Sequence, residues 1–133
     1  MTYYLLIIRS IEREPMLRSL GDHQRCLRTI KKIKSDGLLD IKAYCVMPFY
    51  VKLVVGSHSS EVKEDIVLLD DNTDFVWKYF KTFFPGVSSF QSHCIKISSP
   101  HRITELIHYI ECAPVRAGIV REARLYQYSS AYA

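Results

Sequence analysis

The chain has 133 residues, enough for one domain and too few for two. Hydrophobic residues make up 48% and charged residues 24%, a balance that excludes an intrinsically disordered chain. Eighteen Lys and Arg against fourteen Asp and Glu give a net charge of +4, a basic excess that suits a polyanion partner but falls short of a DNA-coating protein.

The first element is a strand. Tyr3 to Ile11 is β-branched and aromatic, and it is apolar on both faces, which predicts a central position in a sheet. Its apolar stretch, Tyr3 to Ile8, is far too short to span a bilayer, which needs about 20 residues. No small-residue cleavage site follows Arg9. The expectation is a soluble, cytoplasmic protein with no membrane partner and a single domain over residues 1–133.

Asp22 is placed as the N-cap of a helix that runs to Lys34, with Cys26, Leu27, Ile30 and Ile33 at helical spacing and Asp36-Gly37 as its stop. The polar side of this helix carries Arg25, Arg28, Lys31, Lys32 and Lys34. Such a row is either a solvated face or a surface for phosphates. Ile41 to Met47 and Val51 to Val55 read as two strands of a hairpin joined at Pro48-Phe49. Glu61 to Leu69 is amphipathic and reads as a short helix. Asn72 or Thr73 caps a second helix through Phe84, with Phe75, Val76, Tyr79, Phe80 and Phe83 on its apolar face, and Pro85-Gly86 ends it. His93 to Ile97 is a short strand. Ser99-Pro100 opens a third helix whose stripe is Ile103, Leu106, Ile107 and Ile110.

The order strand, helix, strand, strand, helix, strand, helix is too irregular for a doubly wound parallel sheet. It predicts an α+β fold, a ferredoxin-like split βαβ sandwich with a four-stranded antiparallel sheet and helices on one face. The four cysteines, Cys26, Cys45, Cys94 and Cys112, show no C-x-x-C pair and read as reduced thiols. His108 and Cys112 are four apart, and His93 adjoins Cys94, but no paired spacing repeats, so no zinc site is assigned. Tyr109 lies about 110° from the centre of the third helix's apolar stripe, at about 100° per residue. That position lets the ring be half buried with its hydroxyl in solvent.

Two segments are more specific. AYCVMPFYVKLVV, Ala43 to Val55, and YIECAPVRAGIVREARLYQYSSAYA, Tyr109 to Ala133, together resemble the single-tyrosine HUH transposases, above all their small palindrome-associated branch. In that family the hairpin reads Ala-Tyr-x-x-Met-Pro-Asn-His-Val-His-Leu. A later helix reads Tyr-Ile-x-x-Asn-Pro-Val-Arg-Ala-Gly-Leu-Val, and the closing segment Tyr126 to Tyr132 is similar to the family's tail. The resemblance implies a ferredoxin-like fold and DNA, single-stranded or hairpin, as partner, with a homodimer possible in the family. It also implies magnesium or manganese held by the two histidines and by a polar residue one turn past the tyrosine. There the metal polarises the phosphate while the tyrosine attacks it.

This chain departs from the pattern at the metal. Tyr50 stands where the first histidine belongs, Lys52 where the second belongs, and Ala113 where the third ligand belongs. A phenol is a poor ligand for magnesium, an ammonium repels it, and a methyl group offers no donor. Tyr109 still occupies the nucleophile position, and Arg116 is free to meet a phosphate. The reading is therefore a degenerate transposase-like DNA-binding protein with no metal cofactor and cleavage lost. Its DNA-binding candidates are Arg25, Arg28, Lys31, Lys32, Lys52 and Arg116. Two alternatives stay open: an active transposase with Lys52 in place of the metal's charge, and a domesticated scaffold that binds protein.

Overall fold

The β-branched run near the start forms strand β1, Thr2–Ser10, in the interior of a five-stranded sheet. The other strands are β2, Asp40–Val46, β3, Tyr50–Ser57, β4, Ile66–Leu68, and β5, Phe90–Ile97. Their spatial order is β2-β3-β1-β5-β4, and every pairing is antiparallel. This computed structural model describes residues 1–10, 15, 17–37, 39–57, 66–68 and 90–133. The predicted second helix, 73–84, lies outside the described residues.

The order β2-β3-β1-β5 is the split βαβ arrangement expected from the sequence, with β4 added at the edge. Ile66–Leu68 pairs with Ile95, Cys94 and His93 of β5, where the sequence predicts a helix. Three aliphatic residues beside an open strand edge gain ladder hydrogen bonds there, and that tertiary context overrides a short local pattern. The rest of the predicted 61–69 helix lies outside the described residues.

Helix α1, Leu20–Ser35, starts three residues earlier than its sequence suggests. Ser19 is the N-cap, and its hydroxyl accepts from the Asp22 amide at 3.1 Å. Asp22 is instead the reciprocal partner of a capping box, its carboxylate accepting from the Ser19 amide at 3.2 Å. These amide bonds, that of Arg18 foremost, hold the Asp22 carboxyl below its ordinary range. Cys26, Ile30 and Ile33 face the core from α1.

Helix α2, Pro100–Glu111, is capped by the Ser99 hydroxyl, which accepts from the Arg102 amide at 3.2 Å. Ile110 is fully buried, while Ile103, Leu106 and Ile107 pack half-buried against the core. A short helix α3, Ala113–Arg116, and a 3₁₀ turn, Ala123–Leu125, follow.

The sheet is covered on both faces, which refines the one-sided sandwich read from the sequence. Leu6, Ile8, Val51 and Leu53 alternate onto one face and are fully buried. Ala43, Cys45 and Val54 lie on the other and are buried as well. α2 lies over this second face, because Lys52, which shares it, approaches the Tyr109 ring of α2.

Candidate functional site

Strand alternation puts Tyr50 and Lys52 on one face of β3, two residues apart. Lys52 sits opposite Cys45 of β2 and Ile7 of β1, so its backbone is fixed on both sides. Above it, the register of α2 turns Ile110 inward, which leaves Tyr109 52% exposed at the flank of the helix. The helical wheel expects the ring at this flank, and there it is exposed rather than half-buried.

The chain then turns at Cys112, the shared cap of α2 and α3, with Pro114 inside the first turn of α3. Arg116 is seven residues beyond Tyr109, about two helical turns, and it returns to the same side. Gly118, at φ +75°, ends the turn in a conformation that residues with a side chain rarely adopt.

The result is a cluster of two cations on two rings. The Arg116 guanidinium carbon lies 3.9 Å from the centre of the Tyr109 ring. The Lys52 ammonium lies 5.7 Å from that ring and 4.7 Å from the Tyr50 ring. These are cation–π distances. Among the described residues neither cation forms an ion pair with a carboxylate. Burial pushes the Tyr50 phenol up despite the opposing pull of Arg116. Across the strand pair from Lys52, burial pushes the Cys45 thiol up to about 12, again against the pull of Arg116 and Lys52.

The C-terminal segment braces this cluster from the β2 edge. The Val46 amide donates to the Tyr128 carbonyl at 2.9 Å, and the Ser130 amide donates to the Tyr44 carbonyl at 3.0 Å. The buried Tyr126 hydroxyl donates to the Val46 carbonyl at 2.6 Å. The Ser130 hydroxyl donates to the Glu111 carboxylate at 2.6 Å, which ties the end of α2 to the tail. These contacts were not legible as such, although the resemblance already singled out Tyr126 to Tyr132.

The donor set at the family's metal positions does not fit a divalent cation. Tyr50 presents a phenol kept protonated by burial, Lys52 presents a positive charge, and Ala113 is a buried methyl. Among the described residues no group of three His, Cys, Asp or Glu side chains could hold a metal. His108 and Cys112 do meet, with the Cys112 sulfur 3.7 Å from His108 Nε2, but as an exposed pair.

Arg25, Arg28, Lys31 and Lys32 stand together on the exposed side of α1. Arg25 approaches Asp22 at 3.8 Å. None of the four makes a ring or ion contact with the Tyr109 cluster, so the expected DNA-binding residues fall into two separate sets. Among the described residues no helix is long and apolar enough to cross a membrane.

No family model and no curated protein matches the sequence. Among solved structures the chain is similar to a REP-associated tyrosine transposase bound to a REP hairpin, with a TM-score of 0.68 at 19% identity, over 97% of this chain and 76% of that one. The fold is that of a REP-associated tyrosine transposase. The strand order and the docking of α2 over the hairpin thus agree with the resemblance carried by Ala43 to Val55 and Tyr109 to Ala133. Of the positions that the resemblance marks, Tyr109, Tyr50 and Lys52 come together in space. Sequence reasoning missed the stacking of Arg116 on Tyr109. Its only signal was the seven-residue spacing, which a helix break at Cys112 obscures.

Proposed function

We propose that this protein is a transposase-like DNA-binding protein whose metal-dependent strand cleavage has been lost, and that it binds single-stranded or hairpin DNA. One observation carries the reading. Tyr109 is 52% exposed beside two cations that form no ion pair among the described residues, Arg116 at 3.9 Å and Lys52 at 5.7 Å, and its described neighbours offer no donor set for magnesium or manganese. A site of this kind attracts phosphate. Cleavage asks for more, because attack on a phosphodiester needs charge neutralisation held in fixed in-line geometry, and a flexible ammonium supplies charge without that geometry. The solved transposase of the same fold is bound to a DNA hairpin, which supports the partner class.

The test is a hairpin oligonucleotide with a single-stranded flank, incubated with the protein with and without magnesium or manganese. Fluorescence anisotropy should report a complex that weakens steeply with salt, since phosphate contacts release counterions. A denaturing gel should show no DNA-linked protein band. A band that disappears in Tyr109→Phe would make the protein an active transposase. No complex up to about 10⁻⁴ M, the range of non-specific binding, would favour a protein-binding scaffold.

A further inference from the structure

The mismatch between the family's metal site and the residues present has a constructive side. Lys52 stands with its ammonium where the resemblance implies a metal ligand, and the Arg116 guanidinium lies over the same ring. Both cations lie over one ring centre, so the two charges are at most about 10 Å apart. The Lys52 stem is flexible, so its ammonium can close that gap onto a phosphate group held by Arg116.

Their environment favours an anion. Stacking a guanidinium on a ring occupies its face and leaves its N–H edge free for two parallel bonds to phosphate oxygens. Neither cation is neutralised by a carboxylate among the described residues. Glu111, the carboxylate at the end of α2, is engaged by the Ser130 hydroxyl at 2.6 Å. Two like charges near one ring repel, and an anion between them relieves that repulsion. The backbone under both is rigid, with Lys52 between two ladder partners and Arg116 on a capped turn.

We propose that Lys52 and Arg116, held against the ring of Tyr109, form a metal-independent clamp for a phosphodiester of a nucleic-acid strand, with Tyr109 as the positioning residue of the clamp. This rests on the DNA-binding reading above and adds to it the site, the ligand group and the role of the tyrosine. In this role the ring of Tyr109 matters and its hydroxyl does not, which separates it from a nucleophile.

The experiment is anisotropy of the full chain with a fluorescent single-stranded or hairpin oligonucleotide, at matched ionic strength in EDTA and in magnesium. Wild-type affinity should be the same in both. Lys52→Gln and Arg116→Gln should each bind about tenfold more weakly, and the log–log salt slope should become shallower by about 0.7 per lost contact on a single strand. Tyr109→Ala should lose affinity, whereas Tyr109→Phe should bind as wild type. Circular dichroism melts confirm that each variant is folded, and Arg28→Gln on α1 serves as a comparator with a smaller loss. If wild type binds but Lys52→Gln and Arg116→Gln bind equally well, the clamp is refuted while DNA binding stands. A magnesium requirement refutes it too, as does loss of binding in Tyr109→Phe. No binding by wild type removes the DNA-binding reading and the clamp together.

Discussion

Ile110 decides how Tyr109 is presented, and removing its side chain should show this. It is 1% exposed, the only fully buried residue of α2, and it lies one residue, about 100°, from Tyr109. Ile110→Ala deletes three carbons from a site with little room to collapse, because a sheet face lies beneath it. Such truncations cost on the order of 2–5 kcal/mol. For a chain of this size about 4 °C of melting temperature is lost per kcal/mol, so the midpoint should fall by on the order of 10 °C. Ile107, half-buried on the same stripe, removes less apolar surface from water and should cost about half as much when truncated. Circular dichroism melts of both variants, with urea titrations as a check, measure the difference. A melt of Ile110→Ala within about 2 °C of wild type, combined with a larger drop for Ile107→Ala, would mean that α2 is rotated about its axis. Tyr109 would then not face Lys52 and Arg116 as described.

Three further outcomes follow from buried groups. Tyr126→Phe removes the hydroxyl that donates to the Val46 carbonyl at 2.6 Å and leaves that buried carbonyl unpaired, so it should cost about 1–3 kcal/mol in urea unfolding; a loss below about 0.5 kcal/mol would show that the tail is not latched to β2. Among the thiols, Cys26, Cys45 and Cys94 are buried and Cys112 is not, so a thiol-reactive dye should label one site in the native protein and the rest only in denaturant; rapid labelling of several thiols would contradict the core packing. Burial raises the Cys45 and Cys94 thiols from 9.0 to about 12 in the folded state. The unfolded chain therefore loses those protons first, and the associated stability is present below pH 9 and declines between about pH 9 and 12. A melting temperature that stays constant across that window would count against the burial.

Much of the architecture was legible because it is written in short periods. The hairpin around Pro48-Phe49 and the stripe Ile103, Leu106, Ile107 and Ile110 follow from alternation and from 3.6-residue spacing, and both appear within a residue or two of their expected bounds. The start of α1 was harder. Asp22 is as good a cap by type as Ser19, and only the backbone conformation shows which of the two precedes the first turn. Ile66–Leu68 has too few residues to declare a period, so its state was set by a partner strand.

By itself the sequence determined which side chains stand at the positions that the transposase resemblance marks: a phenol at Tyr50, an ammonium at Lys52, a methyl at Ala113 and the tyrosine Tyr109. That much is chemistry and depends on residue identity alone. The tertiary structure decided where the charges go. Arg116 is placed on Tyr109 by a break at Cys112 and a second helix start at Ala113, and Lys52 reaches the same ring only because α2 docks on its face of the sheet. The row Arg25, Arg28, Lys31 and Lys32 looked equivalent as a list of cations, yet none of the four makes a ring or ion contact with the Tyr109 cluster. Contacts between residues far apart in sequence depend on how helices dock on the sheet, and no local period carries that information.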